Sequence, residues 1–321
     1  MKTRLQGVFG FPVTPFHADG SLNLENLRRH VAWMKGTGVH AIFVCGGTGE
    51  FFNLALEEFR DAVAAAVEAV AGALPVVAGC GYSTVIAKRF ARAAADAGAD
   101  GLLLLPPYLV QPEQEGLYRH VREVAESVDL GLILYHRDNA LYSVSTVARL
   151  AELRNVVGFK DGHGNLEQFG RIVLELGDRL SYMNGMPTAE MTFPSFYALG
   201  CRGYSSALSN FAPHVTLHFH RAVREGDTEA QREILRRVIE PICRVRDLRK
   251  GYAVSYVKAA VNLLGRLGPE GAGPVRPPLT DLTEEHRAAL KGVLEELFAR
   301  YSEGPGRMGE WGKGGDGVTR D

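Results

Sequence analysis

The chain has 321 residues, 46% of them hydrophobic and 23% charged, with 36 Lys and Arg against 37 Asp and Glu. This balance excludes a disordered chain, and the formal net charge of −1 removes the electrostatic drive for general nucleic-acid or anionic-membrane binding. No apolar run approaches the roughly 18 residues of a membrane helix, and the opening Met1-Lys2-Thr3-Arg4-Leu5-Gln6 lacks a signal-like apolar stretch, so the cytoplasm is the expected compartment.

Short apolar runs bounded by Gly or Pro alternate with segments of helical period. The runs are Gly7 to Val13, Ala41 to Cys45, Pro75 to Gly79 and Gly101 to Leu105, then Leu130 to Tyr135, Val156 to Lys160, Leu180 to Asn184 and Gly203 to Ala207. Their starts lie 23 to 34 residues apart, room for a strand, a helix and two loops. They are continuous rather than alternating, as parallel strands covered on both faces should be. Between them, Leu24, Leu27, Val31 and Met34 share one helical stripe, as do Leu56, Phe59, Val63, Val67 and Val70. Gly38, Gly72 and Gly98 are placed to stop helices.

Eight such units predict an α/β fold, a closed (β/α)8 TIM barrel over residues 1–225. An open doubly wound sheet is the rival, but no Gly-x-Gly-x-x-Gly follows the first run. Beyond it, residues 226–301 predict a C-terminal helical extension, with helices over Asp227 to Val245, Tyr252 to Leu264 and Thr283 to Tyr301. Residues 302–321 are glycine-rich and predict a disordered tail.

In a barrel the reacting groups sit at the C-terminal ends of the strands. The sixth run ends in Lys160, the one lysine of eight that closes a strand run. An amine held there among apolar groups falls below its reference pKa of about 10.4, and neutral amine can attack a ketone to form a Schiff base. The alternative is an ion pair with a carboxylate such as Asp161. The fifth run ends in Tyr135, either a proton shuttle or a core aromatic with a satisfied hydroxyl. The second ends in Gly46-Gly47-Thr48-Gly49-Glu50, whose backbone amides and Thr48 hydroxyl suit a carboxylate or a phosphate. No Gly-Lys-Ser/Thr follows, so a nucleotide loop is not supported. Asn184, Ser205 and Ser206, with Asn210 one turn on, offer polar groups for hydroxyls or a carboxylate, or are ordinary turn residues. Cys45, Cys80, Cys201 and Cys243 form no Cys-x-x-Cys pair and read as buried thiols, and His218 and His220 do not share a helix face, so no metal site is expected.

Taken in order, Gly46-Gly47-Thr48-Gly49-Glu50, Tyr135 and Lys160 resemble the dihydrodipicolinate synthase/N-acetylneuraminate lyase family of Schiff-base enzymes, over about Val8 to Leu297. The chain departs from the synthases at Gly47, where they carry a threonine. In Tyr135-His136-Arg137-Asp138-Asn139-Ala140 their proline is missing and their carboxylate-binding arginine has no counterpart at its place. Phe11-Pro12-Val13-Thr14, Gly158-Phe159-Lys160-Asp161-Gly162, Tyr204-Ser205-Ser206-Ala207 and Pro277-Pro278-Leu279-Thr280-Asp281-Leu282 are instead similar to the branch that dehydrates and decarboxylates a keto-deoxy sugar diacid, with His136 where that branch commonly has Asn.

The resemblance implies that Lys160 forms the Schiff base and Tyr135 is the general acid/base. It places the ketoacid carboxylate on Gly47 and Thr48, and makes Asn184, Ser205 and Ser206 candidates for the distal groups. It implies no metal or organic cofactor, a small sugar diacid as partner, and a homodimer or homotetramer with Tyr108 near a subunit contact. Another lyase of the family, a 2-keto-3-deoxy sugar acid aldolase or dihydrodipicolinate synthase, is the alternative. A non-catalytic ligand-binding relative is the remote one.

Overall fold

The computed structural model describes residues 4–302. Eight parallel strands close into a barrel in sequence order: β1 (Gly7–Gly10), β2 (Ala41–Val44), β3 (Val76–Cys80), β4 (Gly101–Leu104), β5 (Gly131–His136), β6 (Val156–Asp161), β7 (Ser181–Asn184) and β8 (Gly203–Ser206). The ring shuts where β1 pairs with β8, Phe9 opposite Ser205. The helices are α1 (Leu24–Lys35), α2 (Leu56–Val70), α3 (Thr84–Asp96), α4 (Gln114–Ala125), α5 (Val144–Ala151), α6 (Leu166–Leu176), α7 (Ala189–Ala198) and α8 (Pro213–Glu225). Short polar side chains start many of them: Asn23, Ser83, Ser143 and Asn165 each accept a backbone N–H of the first turn, a cap worth about 1 kcal/mol.

Successive residues of each strand face opposite sides. Phe9, Phe43, Val77, Leu103, Ile133 and Met183 fill the barrel interior. Val8, Ile42, Ala78, Leu102, Leu132 and Phe159 turn outward beneath the helices, in the larger core. Both faces are therefore dry, which explains the unbroken apolar runs. Burying a side chain the size of Phe159 contributes about 1.5–3 kcal/mol.

The first run leaves the sheet earlier than the sequence suggests. Pro12 has no N–H to give the ladder, and the chain there is held by Asn210 instead, which donates to the Phe11 carbonyl (2.9 Å) and accepts from the Val13 N–H (3.0 Å). Asn210 is thus spent on this link and on His30 Nε2, 2.9 Å away.

The C-terminal region contains α9 (Thr228–Ile234), α10 (Glu240–Asp247), α11 (Tyr252–Leu264) and α12 (Glu284–Arg300). The single helix expected over Asp227 to Val245 is interrupted by a wider, π-type winding at Leu235–Ile239. Val257 and Leu294 belong to the same buried core as the barrel helices, so this region packs directly onto the barrel. Among the described residues no helix is long and apolar enough to cross a membrane. The tail expected over 302–321 lies, from 303 onward, outside the described residues.

Candidate active site

Strand alternation decides which side chains reach the barrel mouth. Tyr135, Lys160 and Met183 stand side by side on β5, β6 and β7. Met183 and Tyr135 belong to the interior cluster, so Lys160 points inward with them. Its side chain is enclosed, 4% exposed, with Nζ 4.4 Å from the centre of the Phe11 ring and 4.1 Å from that of Tyr135. Asp161, the next residue, points the other way. Its Oδ1 accepts the His163 and Gly164 N–H groups at 2.9 and 2.7 Å, so it fastens the loop after β6 and does not pair with the amine.

Tyr135 is held from two sides. Its hydroxyl donates to the Gly185 carbonyl (3.0 Å) and accepts from Arg137 Nη1 (3.1 Å). Arg137 also reaches Asp138 at 3.1 Å. Burial lowers the pKa of Lys160. The nearby phenol opposes that fall and the Arg137 charge adds to it. Burial alone would raise Tyr135, but the positive charges of Lys160 and Arg137 outweigh it and bring the phenol below its ordinary value. The site therefore holds an amine that sheds its proton readily beside a phenol that does the same.

Two glycines make room for this pair. A Cβ on Gly185 would stand 2.5 Å from Lys160 Cε, and one on Gly162 would stand 2.8 Å from Tyr135 Cε2. Neither close approach announces itself in the sequence.

The turn after β2 is tight. The Glu50 and Phe51 N–H groups bond the Gly47 and Gly46 carbonyls, each at 3.1 Å. Thr14 Oγ1 donates to the Gly49 carbonyl at 2.7 Å. Gly47 is exposed and Thr48 half-buried, and a Cβ at Gly47 would meet no atom within 4 Å. The partners of the Tyr135 hydroxyl are the Gly185 carbonyl, the Arg137 guanidinium and the Lys160 amine.

The remaining candidates divide by parity. Ser205 lies on the inward register of β8, opposite Phe9, with Oγ donating to the Asn184 carbonyl at 3.3 Å. Asn184 and Ser206 stand elsewhere than in the mouth. The Asn184 amide is fully buried and donates to the Ala189 carbonyl and Thr192 Oγ1, both at 2.9 Å. Ser206 Oγ donates to the buried Glu190 Oε1 at 2.6 Å. Both belong to the layer between β7, β8 and the helices. His136 also faces outward, against the Phe159 ring 5.4 Å away, so its departure from Asn leaves the mouth unchanged. Tyr108, in the loop after β4, is 70% exposed, followed by the exposed Leu109 and Val110.

Cys45, Cys80 and Cys201 are buried and unpaired, and Cys243 is half-buried. Among the described residues no group of three or more His, Cys, Asp or Glu side chains could hold a metal ion. Sequence reasoning missed Arg137, Gly162 and Gly185. Only the proximity of Arg137 to Tyr135 in the chain could have pointed to it.

A buried amine packed on a phenol thus stands at the C-terminal rim of a (β/α)8 barrel, the end where enzymes of this fold carry their active sites. The family model described as the dihydrodipicolinate synthetase family matches residues 4–297, and the chain belongs to that family. A protein of Rhizobium meliloti named probable 5-dehydro-4-deoxyglucarate dehydratase is 47% identical over 297 residues, covering 92% of this chain and 97% of its own. One of the same name from Saccharopolyspora erythraea is 47% identical over 294 residues, covering 91% and 94%. Among solved structures, the dihydrodipicolinate synthase of Bacillus clausii superposes with a TM-score of 0.84 at 30% identity, covering 92% of this chain and 98% of its own. That of Aquifex aeolicus gives 0.81 at 32% identity, with 91% and 98% covered.

Proposed function

We propose that this protein is a Schiff-base lyase that converts 5-dehydro-4-deoxy-D-glucarate to 2,5-dioxopentanoate, carbon dioxide and water. The observation that carries the reading is Lys160: an amine buried at the rim of β6, turned away from Asp161 and packed on Tyr135. The names of the relatives supply the substrate.

The Lys160 amine attacks the C5 ketone and water leaves, giving a protonated imine. The iminium accepts the electron pair when C4 loses a proton to the Tyr135 phenolate. The resulting enamine expels the C3 hydroxyl, which takes a proton from Tyr135 and departs as water. The C1 carboxylate now sits one carbon beyond a conjugated iminium. Its C1–C2 bonding pair moves along that system to nitrogen and carbon dioxide leaves. Protonation at C4, conversion of the C2 enol to an aldehyde and hydrolysis of the imine free the product and Lys160.

Arg137, whose guanidinium bonds the phenol oxygen, favours the phenolate form of Tyr135 and so helps it take the C4 proton and pass it on. Gly47 and Thr48 receive the ketoacid carboxylate, where a side chain at Gly47 would meet no atom and the backbone stays open to the substrate. Ser205 is the inward hydroxyl available to the distal part of the substrate. The exposed Tyr108-Leu109-Val110 segment is the expected contact with a second copy in a homo-oligomer. Four unpaired cysteines fit a reducing cytoplasm.

The test is incubation with 5-dehydro-4-deoxyglucarate under borohydride, followed by mass analysis. The reading expects 2,5-dioxopentanoate and carbon dioxide without borohydride, and a reduced adduct on Lys160 with it. An unmodified Lys160 refutes the Schiff base. Carbon–carbon bond formation from pyruvate and an aldehyde, without carbon dioxide release from the diacid, assigns the site to an aldolase.

A further inference from the structure

The described chain holds a second buried amine. Lys258, on α11, is 1% exposed at its side chain and stands 2.8 Å from Oε1 of Glu50, itself 0% exposed. The ammonium also donates to the Pro274 carbonyl at 2.7 Å and lies 4.0 Å over the Phe16 ring. The other carboxylate oxygen of Glu50 accepts from the Arg276 N–H (3.1 Å) and Asn53 Nδ2 (3.0 Å). One carboxylate is therefore gripped by three segments, two of them in the C-terminal region.

Glu50 closes the turn that carries Gly47 and Thr48. Its backbone is left-handed, with φ of 53°, a region uncommon for residues other than glycine and kept only when the surroundings impose it. Cys45, at the opening of the same turn, is also left-handed with φ of 52°. Removing one partner of a buried ion pair leaves an uncompensated charge in a dry place, so loss of the cation destabilises the turn with Glu50 inside.

We propose that Lys258 is a positioning residue, whose ammonium holds the Gly46–Glu50 turn through Glu50 in the shape that receives the substrate carboxylate. The proposal rests on the reading that this turn binds the ketoacid end. It gives the C-terminal helices a part in substrate affinity, with no contact of their own to the reacting atoms. The charged groups around the ammonium are Glu50 and Asp281, which favour it, and Arg276, which opposes it. Arg276 is itself paired with Glu58 at 2.5 Å. Burial pushes Lys258 down to about 8, so the charge that holds the turn is lost as pH rises past that value.

The experiment compares the unaltered protein with Lys258→Arg and Lys258→Met from pH 7 to 9.5. The unaltered protein should show KM rising at least about tenfold over this range, while Lys258→Arg, whose guanidinium stays charged, keeps KM within about threefold. Lys258→Met should show the raised KM already at pH 7, with kcat reduced much less. Should Lys258→Met fail to fold, the Arg comparison decides alone. The same rise of KM in Lys258→Arg as in the unaltered protein, or no rise in either, overturns the proposal. Borohydride trapping of the unaltered protein runs alongside. Loss of the Lys160 adduct there sinks the catalytic reading, whereas an intact adduct with KM indifferent to Lys258 sinks this proposal only.

Discussion

Gly185→Ala perturbs the Lys160–Tyr135 pair with a single methyl group. Gly185 has no positive φ, so its backbone accepts alanine. The new Cβ would stand 2.5 Å from Lys160 Cε, 2.7 Å from Cγ and 3.0 Å from Tyr135 Cε2. Ordinary contact begins near 3.4 Å, so the lysine stem must retreat by about 0.9 Å, close to the 1 Å misplacement that typically costs about 10²-fold in rate. The expectation is a fall in kcat/KM of about a hundredfold, or about 2.7 kcal/mol in the barrier. The lysine yields more easily than backbone would, so the stability loss should be at the low end of overpacking, about 1 kcal/mol. Steady-state turnover of the diacid and the rate of borohydride trapping measure the first quantity, and denaturant unfolding the second. A folded Gly185→Ala protein with turnover within threefold of the unaltered one would refute the idea that the position of the amine limits the reaction.

Three further expectations follow from the same geometry. Lys160→Ala should abolish turnover and trapping while the fold survives, checked by mass analysis and circular dichroism. Neutral amine is the reacting form, so kcat/KM should rise with pH through the lowered pKa of Lys160. Arg137→Met removes a cation that lowers this pKa, so the acid limb should move to higher pH, and an unmoved limb counts against the assignment. Ser206→Ala leaves Glu190 Oε1 with Thr216 Oγ1 at 3.1 Å as its remaining partner and should cost about 0.5–1.5 kcal/mol of stability with kcat/KM little changed. Ser205→Ala should do the reverse, and denaturant curves with kinetics on both variants separate the two.

The barrel was legible because each strand is apolar on both faces and each helix on one, so two periods alternate along the chain. The rule that chemistry sits at strand ends singled out Lys160 and Tyr135, whose side chains the structure places in the barrel mouth. It was too coarse for Asn184 and Ser206, because it read the last two residues of a run alike. In a pleated strand those two residues face opposite ways. Lys160 pairs with Met183, so Asn184, one step on, faces the helices with Asp161. Parity counted from Lys160 excludes Asn184 only once the register of β6 against β7 is known. Arg137 was out of reach for another reason. It lies past the end of β5 in a turn closed by the Arg137–Ala140 pair, where strand periodicity no longer fixes direction. The Glu50–Lys258 pair joins segments far apart in the chain, and no local pattern encodes such a contact.

The two buried lysines differ in what would make one of them, and not the other, a nucleophile. Both lie over aromatic rings, and burial lowers the pKa of both. Desolvation alone therefore does not distinguish them. The difference is the partner. Lys258 faces a carboxylate at 2.8 Å, which opposes the effect of burial and favours the proton on the amine at neutral pH. Lys160 faces a phenol whose own proton is loosened by Arg137, while the adjacent carboxylate, Asp161, is turned outward and occupied by backbone N–H groups. Moving a carboxylate into contact with Lys160 should thus convert it from the second situation to the first. Met183→Glu, from the paired position on β7, is the direct form of that test: trapping at Lys160 should fall steeply at pH 7 and recover as pH is raised. Undiminished trapping at pH 7 in a folded Met183→Glu protein would show that the reactivity of the amine does not depend on its freedom from a carboxylate.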